Sequence, residues 1–103
     1  MASGSVEIAP KSGTIPTNTD LNNVTDIGTY WLNGSYTYTN VPESRSYGLL
    51  EVMKQTPTGS IIVQRFHYSW NTSTSNRGYV VYERMKPSSS WYPWYKVTGT
   101  YVG

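Results

Sequence analysis

No stretch of ten or more residues in this chain spaces its apolar side chains at the 3.6-residue period of an α-helix, which confines it to strands and loops. The clearest strand covers residues 60–70. There Ile62, Gln64, Phe66, Tyr68 and Trp70 share one face and Ile61, Val63, Arg65, His67 and Ser69 the other, and the face of Phe66 and Trp70 is predicted to be the buried one. Composition points the same way. Aromatic residues make up 15% of the chain, ten of them Tyr, while charged residues are only 14%, and Tyr, Trp, Thr, Val and Ile fit a pleated, half-buried surface better than a helix. The prediction is an all-β fold, a small antiparallel sheet or sandwich-like knob with an extended N-terminal lead-in.

At 103 residues the chain is one domain, able to bury roughly two thirds of the surface its unfolded form exposes. Residues 1–5 read as a cloning remnant, and 6–19, with two prolines and few large apolar groups, as an extended segment outside the compact core. The lead-in is therefore set at 1–15 and the knob at 16–103. Residues 20–26 suit a short turn or one-turn helix capped by Asp20. Runs at 28–32 and 35–39 flank Asn33-Gly34, the pair most favoured at a two-residue β-turn, and predict a hairpin. Strands follow at 48–55 and 60–70, with a turn at 56–59. Residues 71–78 contain no apolar side chain and form a mobile hairpin tip, after which 79–86, 91–96 and 100–102 complete the sheet.

Several classes of function are excluded. Eight basic and six acidic residues give a net charge of +2, too small for a dedicated nucleic-acid binder. With no cysteine there is no disulfide framework and no thiolate metal site. No run approaches the ~18 apolar residues of a membrane span, and the start lacks the basic flank and apolar stretch of a secretory signal. Enzyme chemistry has little to work with. His67 is the only histidine and reads as a hydrogen-bonded or surface residue rather than a general base. The carboxylates Glu7, Asp20, Asp26, Glu43, Glu51 and Glu83 are scattered, and only Glu51 and Glu83 fall on strands that can bring them near each other. Neither a Gly-x-Ser-x-Gly elbow nor a glycine-rich phosphate loop occurs. The chain is expected to be non-enzymatic, with no cofactor and no metal.

Binding is the better prospect. A sugar presents apolar C–H faces edged by hydroxyls, so its sites combine flat rings with amide, guanidinium and carboxylate partners. Ten Tyr and four Trp are too many for so small a core to hide. Trp91 and Trp94, flanking Tyr92-Pro93, are read as packing residues. The candidate site is the hairpin tip with Tyr68, Trp70, Asn71, Asn76, Arg77 and Tyr79, where the three rings are expected to sit together at the end of the sheet. For Trp70 and Tyr79 packing and binding both remain open. Arg45 and Tyr47, in the polar loop at 41–47, form a second candidate set.

The order Pro16-x-x-x-Asp20-Leu21-Asn22, Gly28-Thr-Tyr30, Pro42, Gly48-Leu-Leu-Glu-Val52, Val63-Gln64-Arg65, Val81-Tyr82-Glu83-Arg84 and Trp91-Tyr-Pro-Trp94-Tyr-Lys96 resembles the pyocin-knob family of bacteriophage tail fibres and phage-tail-like bacteriocins. The resemblance spans residues 16–97; the polar tip at 71–77 has no counterpart in the family pattern. It implies a small β domain, commonly trimeric, near the receptor-recognising end of a virion fibre. On that footing the chain is expected to bind a bacterial surface polysaccharide or teichoic acid as a homotrimer, without membrane insertion. The alternatives are a structural module that caps or trimerises a fibre, and an accessory binding domain of a polysaccharide depolymerase.

Overall fold

The fold is that of a computed structural model, which describes residues 11–98. Strands β1 (Lys11–Thr14), β3 (Gly28–Leu32), β5 (Gly48–Lys54), β6 (Ile62–Asn71), β7 (Arg77–Lys86) and β8 (Tyr95–Thr98) form one sheet in the order β1-β3-β5-β6-β7-β8. β2 (Thr19–Asp20) and β4 (Tyr38–Thr39) make a separate two-stranded ribbon, and 3₁₀ turns occupy Leu21–Asn23 and Pro42–Ser44. The all-β class expected from the sequence is the observed one. The sheet is mixed rather than wholly antiparallel, because β1 runs parallel to β3, as β2 does to β4.

Two local expectations are overturned. The segment read as a lead-in outside the core joins the sheet as β1, and Ile15 behind it is a core residue, 4% exposed. Gly28 permits this, since a Cβ there would run into the Lys11 carbonyl. The turn at Asn33-Gly34 does form, with Tyr36 N–H donating to the Asn33 carbonyl and Ser35 N–H to Asn33 Oδ1, both at 2.9 Å. It opens no hairpin, because both edges of β3 are already occupied by β1 and β5. The chain instead crosses the sheet and pairs Tyr38–Thr39 with Thr19–Asp20. The Tyr38 hydroxyl secures that crossing by donating to Ile15 O at 2.7 Å and accepting from Asn33 N–H at 3.0 Å.

The inner face of the sheet carries Leu32, Leu50, Val52, Phe66, Val80 and Tyr82, and Ile15, Leu21 and Tyr38 close over it to complete the core. The buried face of β6 is the one predicted. The opposite face has no covering layer among the described residues. Across it runs one register row, Thr14, Trp31, Leu49, His67, Val81 and Val97, and beside it a second, Thr29, Glu51, Arg65, Glu83 and Tyr95. Trp31, Tyr79, Tyr95 and Val97 on this face are exposed.

Candidate functional site

The two sets of residues singled out in the sequence are partly one cluster. On the inner face beyond Phe66, Tyr68 and Trp70 stack with centroids 5.9 Å apart, the Arg45 guanidinium lies 4.2 Å above the Tyr68 ring, and Tyr47 meets Tyr68 edge-on at 6.4 Å. Trp70 fits because position 78 is glycine, where a Cβ would approach the indole to 2.7 Å. Arg45 is fixed by Nε, which donates to the Tyr82 hydroxyl at 3.2 Å, and that hydroxyl donates to Glu43 at 2.9 Å. Both tyrosine and tryptophan faces are thus engaged by protein groups, and the ladder is chiefly packing. Tyr47 alone in it is largely open to solvent.

The three-ring platform at the hairpin tip does not form. In the β6–β7 register Tyr79 stands opposite Ser69, on the face of the sheet away from Tyr68 and Trp70, because side chains alternate and 79 is odd where 78 pairs with 70. The Asn76 backbone closes the turn, its N–H donating to the Ser73 carbonyl and hydroxyl and its carbonyl accepting from Thr72. Arg77 pairs with Asn71 at the start of the return strand; the Asn71 side chain lies outside what is described.

A better-formed recess lies at the other end of the inner face, a cleft of about 670 Å³ lined by Trp91, Tyr92 and Trp94 together with Asn22, Asn40, Arg84, Lys86, Ser89 and Ser90. Its centre is Arg84, only 6% exposed, whose guanidinium sits 4.2 Å from the Trp91 ring and 4.5 Å from the Trp94 ring. The indole N–H of Trp91 donates to Asn22 O and that of Trp94 to Asn40 O, both at 3.1 Å, so each ring is held at its polar edge while its face meets the cation. Burial pushes Arg84 down to about 10, with Asp20 opposing that shift. Tyr92 projects at the rim, 49% exposed. The packing role expected for Trp91 and Trp94 fits these bonds, but the cleft they wall was not foreseen. One signal for it was legible. Along 79–86 the even positions read Val80, Tyr82, Arg84, which places a cation at a core position.

The remaining chemical candidates are paired in place. His67 Nε2 lies 2.5 Å from Glu51 Oε1, and Arg65 Nε donates to Glu83 at 2.7 Å. Glu51 and Glu83 flank Arg65 on an open sheet face instead of facing each other across a cleft. Among the described residues no group of three or more His, Cys, Asp or Glu is placed to hold a metal ion. Comparison with family models, with curated proteins and with solved structures yields no match.

Proposed function

We propose that this chain is a non-enzymatic glycan-binding domain of pyocin-knob type, carried on the fibre of a bacteriophage or tail-like particle, that attaches to a bacterial surface polysaccharide or teichoic acid. The observation that supports this most is the cleft where Trp91, Tyr92 and Trp94 meet the side chains of Asn22, Asn40, Lys86, Ser89 and Ser90. Rings take the C–H face of a sugar and amides and hydroxyls take its edge, so the binding surface is moved from the hairpin tip to this cleft. Each contact is weak, and several copies on one fibre raise the total through avidity. The test is attachment of the labelled chain to host cells. Tyr92→Ala removes an exposed ring and is expected to lower attachment at least about tenfold with folding intact, whereas Arg77→Ala leaves it unchanged. Equal binding by Tyr92→Ala and the parent would move the site elsewhere, and release of reducing sugar by the chain alone would overturn the non-enzymatic reading.

A second reading, assembly of the fibre, is favoured by the uncovered sheet face. Its row from Trp31 to Val97 is largely apolar, and on the same face Glu51 pairs with His67 and Arg65 with Glu83. A largely apolar row with hydrogen-bonded polar groups beside it is suited to burial against copies of itself. Strands apolar on both sides, as at Leu49-Leu50 and Tyr79-Val80-Val81-Tyr82, are the pattern of a sheet covered on both faces. A mass in solution of three chains is expected, and 11.6 kDa at micromolar concentration would refute it.

A further inference from the structure

Arg84 is the one charged side chain buried among the described residues, and no carboxylate there is in direct contact with it. Nε donates to the uncharged Gln64 at 2.9 Å and Nη1 to the uncharged Asn22 at 2.8 Å. Nη2 has no hydrogen-bond partner among the described residues, and no carboxylate there forms an ion pair with Arg84. The charge of Asp20 acts on Arg84 through space while its own Oδ1 accepts from Asn22 N–H and from the Asn40 amide. The two indole faces compensate only in part, because a ring quadrupole attracts a cation less strongly than an anion does. A second cation, Lys86, lines the same cleft with Nζ 6.0 Å from the Trp91 ring centroid, and it too pairs with no carboxylate among the described residues.

We propose that this cleft takes an oxyanion, a carboxylate or phosphate borne on a hydroxylated ligand, received by Arg84 Nη2 and the Lys86 ammonium. The proposal rests on the glycan-binding reading and narrows it to acidic polymers. The ring faces and the Asn and Ser side chains meet the hydroxylated body, and the two cations select its charge. Nη2 is buried and the guanidinium lies against both indoles, so the anion reaches it as the segment 87–94 shifts. That segment contains no strand and is tied back to β7 by Tyr92 N–H donating to Met85 O at 2.8 Å. Ligand entry therefore alters the environment of Trp91 and Trp94.

The test titrates the full chain with glucuronate, with glycerol 1-phosphate and with glucose, following calorimetric heat and tryptophan emission at low and high salt. At least one anion is expected to bind at least about tenfold more tightly than glucose, to change the emission, and to weaken as salt rises. Preference for glucuronate identifies an acidic polysaccharide as the source of the charge, and preference for glycerol 1-phosphate a teichoic acid. Lys86→Gln should weaken the anion about tenfold with an unchanged melting temperature in its absence. Arg84→Lys should weaken it as well, and should that variant not fold, Lys86→Gln alone decides. Failure of both anions to bind, glucose binding as tightly as they do, or full affinity in Lys86→Gln would overturn the anion site. Host-cell attachment retained in that case leaves the glycan-binding reading standing, whereas anion binding without any cell attachment overturns that reading and spares the site.

Discussion

Gln64 and Arg84 stand directly opposite each other in the β6–β7 ladder, and the guanidinium is held by the amide that also fastens the covering layer to the sheet. Arg84 Nε donates to Gln64 Oε1, while Gln64 Nε2 donates to the carbonyls of Leu21 at 2.7 Å and Val24 at 2.9 Å. The 3₁₀ turn at Leu21–Asn23 is capped from its other side by Asp20, whose Oδ1 accepts from Asn22 N–H at 2.8 Å. One fully buried amide therefore links the strand pair, the turn and the wall of the cleft.

Gln64→Leu keeps the volume and removes all three bonds. It leaves the Val24 carbonyl and one guanidinium nitrogen without these partners, while Leu21 O keeps the Val24 N–H at 3.2 Å, and the expected loss is about 3 kcal/mol. A fall of the melting temperature by more than about 10 °C, together with a lower urea midpoint, is the corresponding readout. A change of under about 1 kcal/mol would mean that the seam contributes little to stability.

Gly28→Ala should detach β1. The added methyl meets the Lys11 carbonyl, so β1 must withdraw from β3, and Ile15 loses its place in the core. A loss of about 2–3 kcal/mol is expected, with faster hydrogen exchange at Lys11 N–H, which donates to Ile27 O. Gly34→Ala serves as the control, because its Cβ would sit at an ordinary 3.6 Å from Tyr47.

The acid side of the stability profile should carry a contribution from Glu43. Its carboxylate is held below the ordinary range first by the hydrogen bond from Lys96 and then by that from Tyr82, with the Lys96 and Arg45 charges adding to both. The folded state thus binds this proton less readily than the unfolded chain. The contribution is fully present above the ordinary carboxylate value of about 4.3 and is lost as pH falls through the lower folded value. The parent's urea midpoint should drop more than that of Glu43→Gln between about pH 6 and about pH 3, and parallel curves would show that the carboxylate is not coupled to folding.

Trp31→Glu tests the uncovered face. Trp31 is 51% exposed in the single chain, so the substitution should leave the melting temperature of a monomer nearly unchanged. If copies pack through the row from Trp31 to Val97, the variant should instead sediment as a lighter species and lose the concentration dependence of its melting. Identical sedimentation of variant and parent would remove this face from any assembly.

The sequence by itself determined the all-β class, the strands at 48–55, 60–70 and 79–86, the buried face of β6 and the turns at 33–34 and 56–59. Each is a local property, since strand alternation and turn chemistry are set by neighbours along the chain. Tyr68 and Trp70 on one face followed from the same period. Tertiary structure alone decided which edges were filled. The Asn33-Gly34 turn was legible, but its hairpin was cancelled by a segment from the N-terminal side of β3, taking the edge as a parallel strand. It also decided where Tyr79 went, because register between two strands depends on where the tip closes, and one residue of offset sends a side chain to the other face. The cleft around Arg84 assembles Asn22, Asn40, Arg84 and Trp91 from separate regions of the chain, and no spacing along the sequence encodes such a meeting. The alignment of Arg84 with Val80 and Tyr82 on one face of β7 is a local signal. What neutralises or leaves unneutralised a buried charge depends on groups brought near it by folding, and that is a fact of three dimensions.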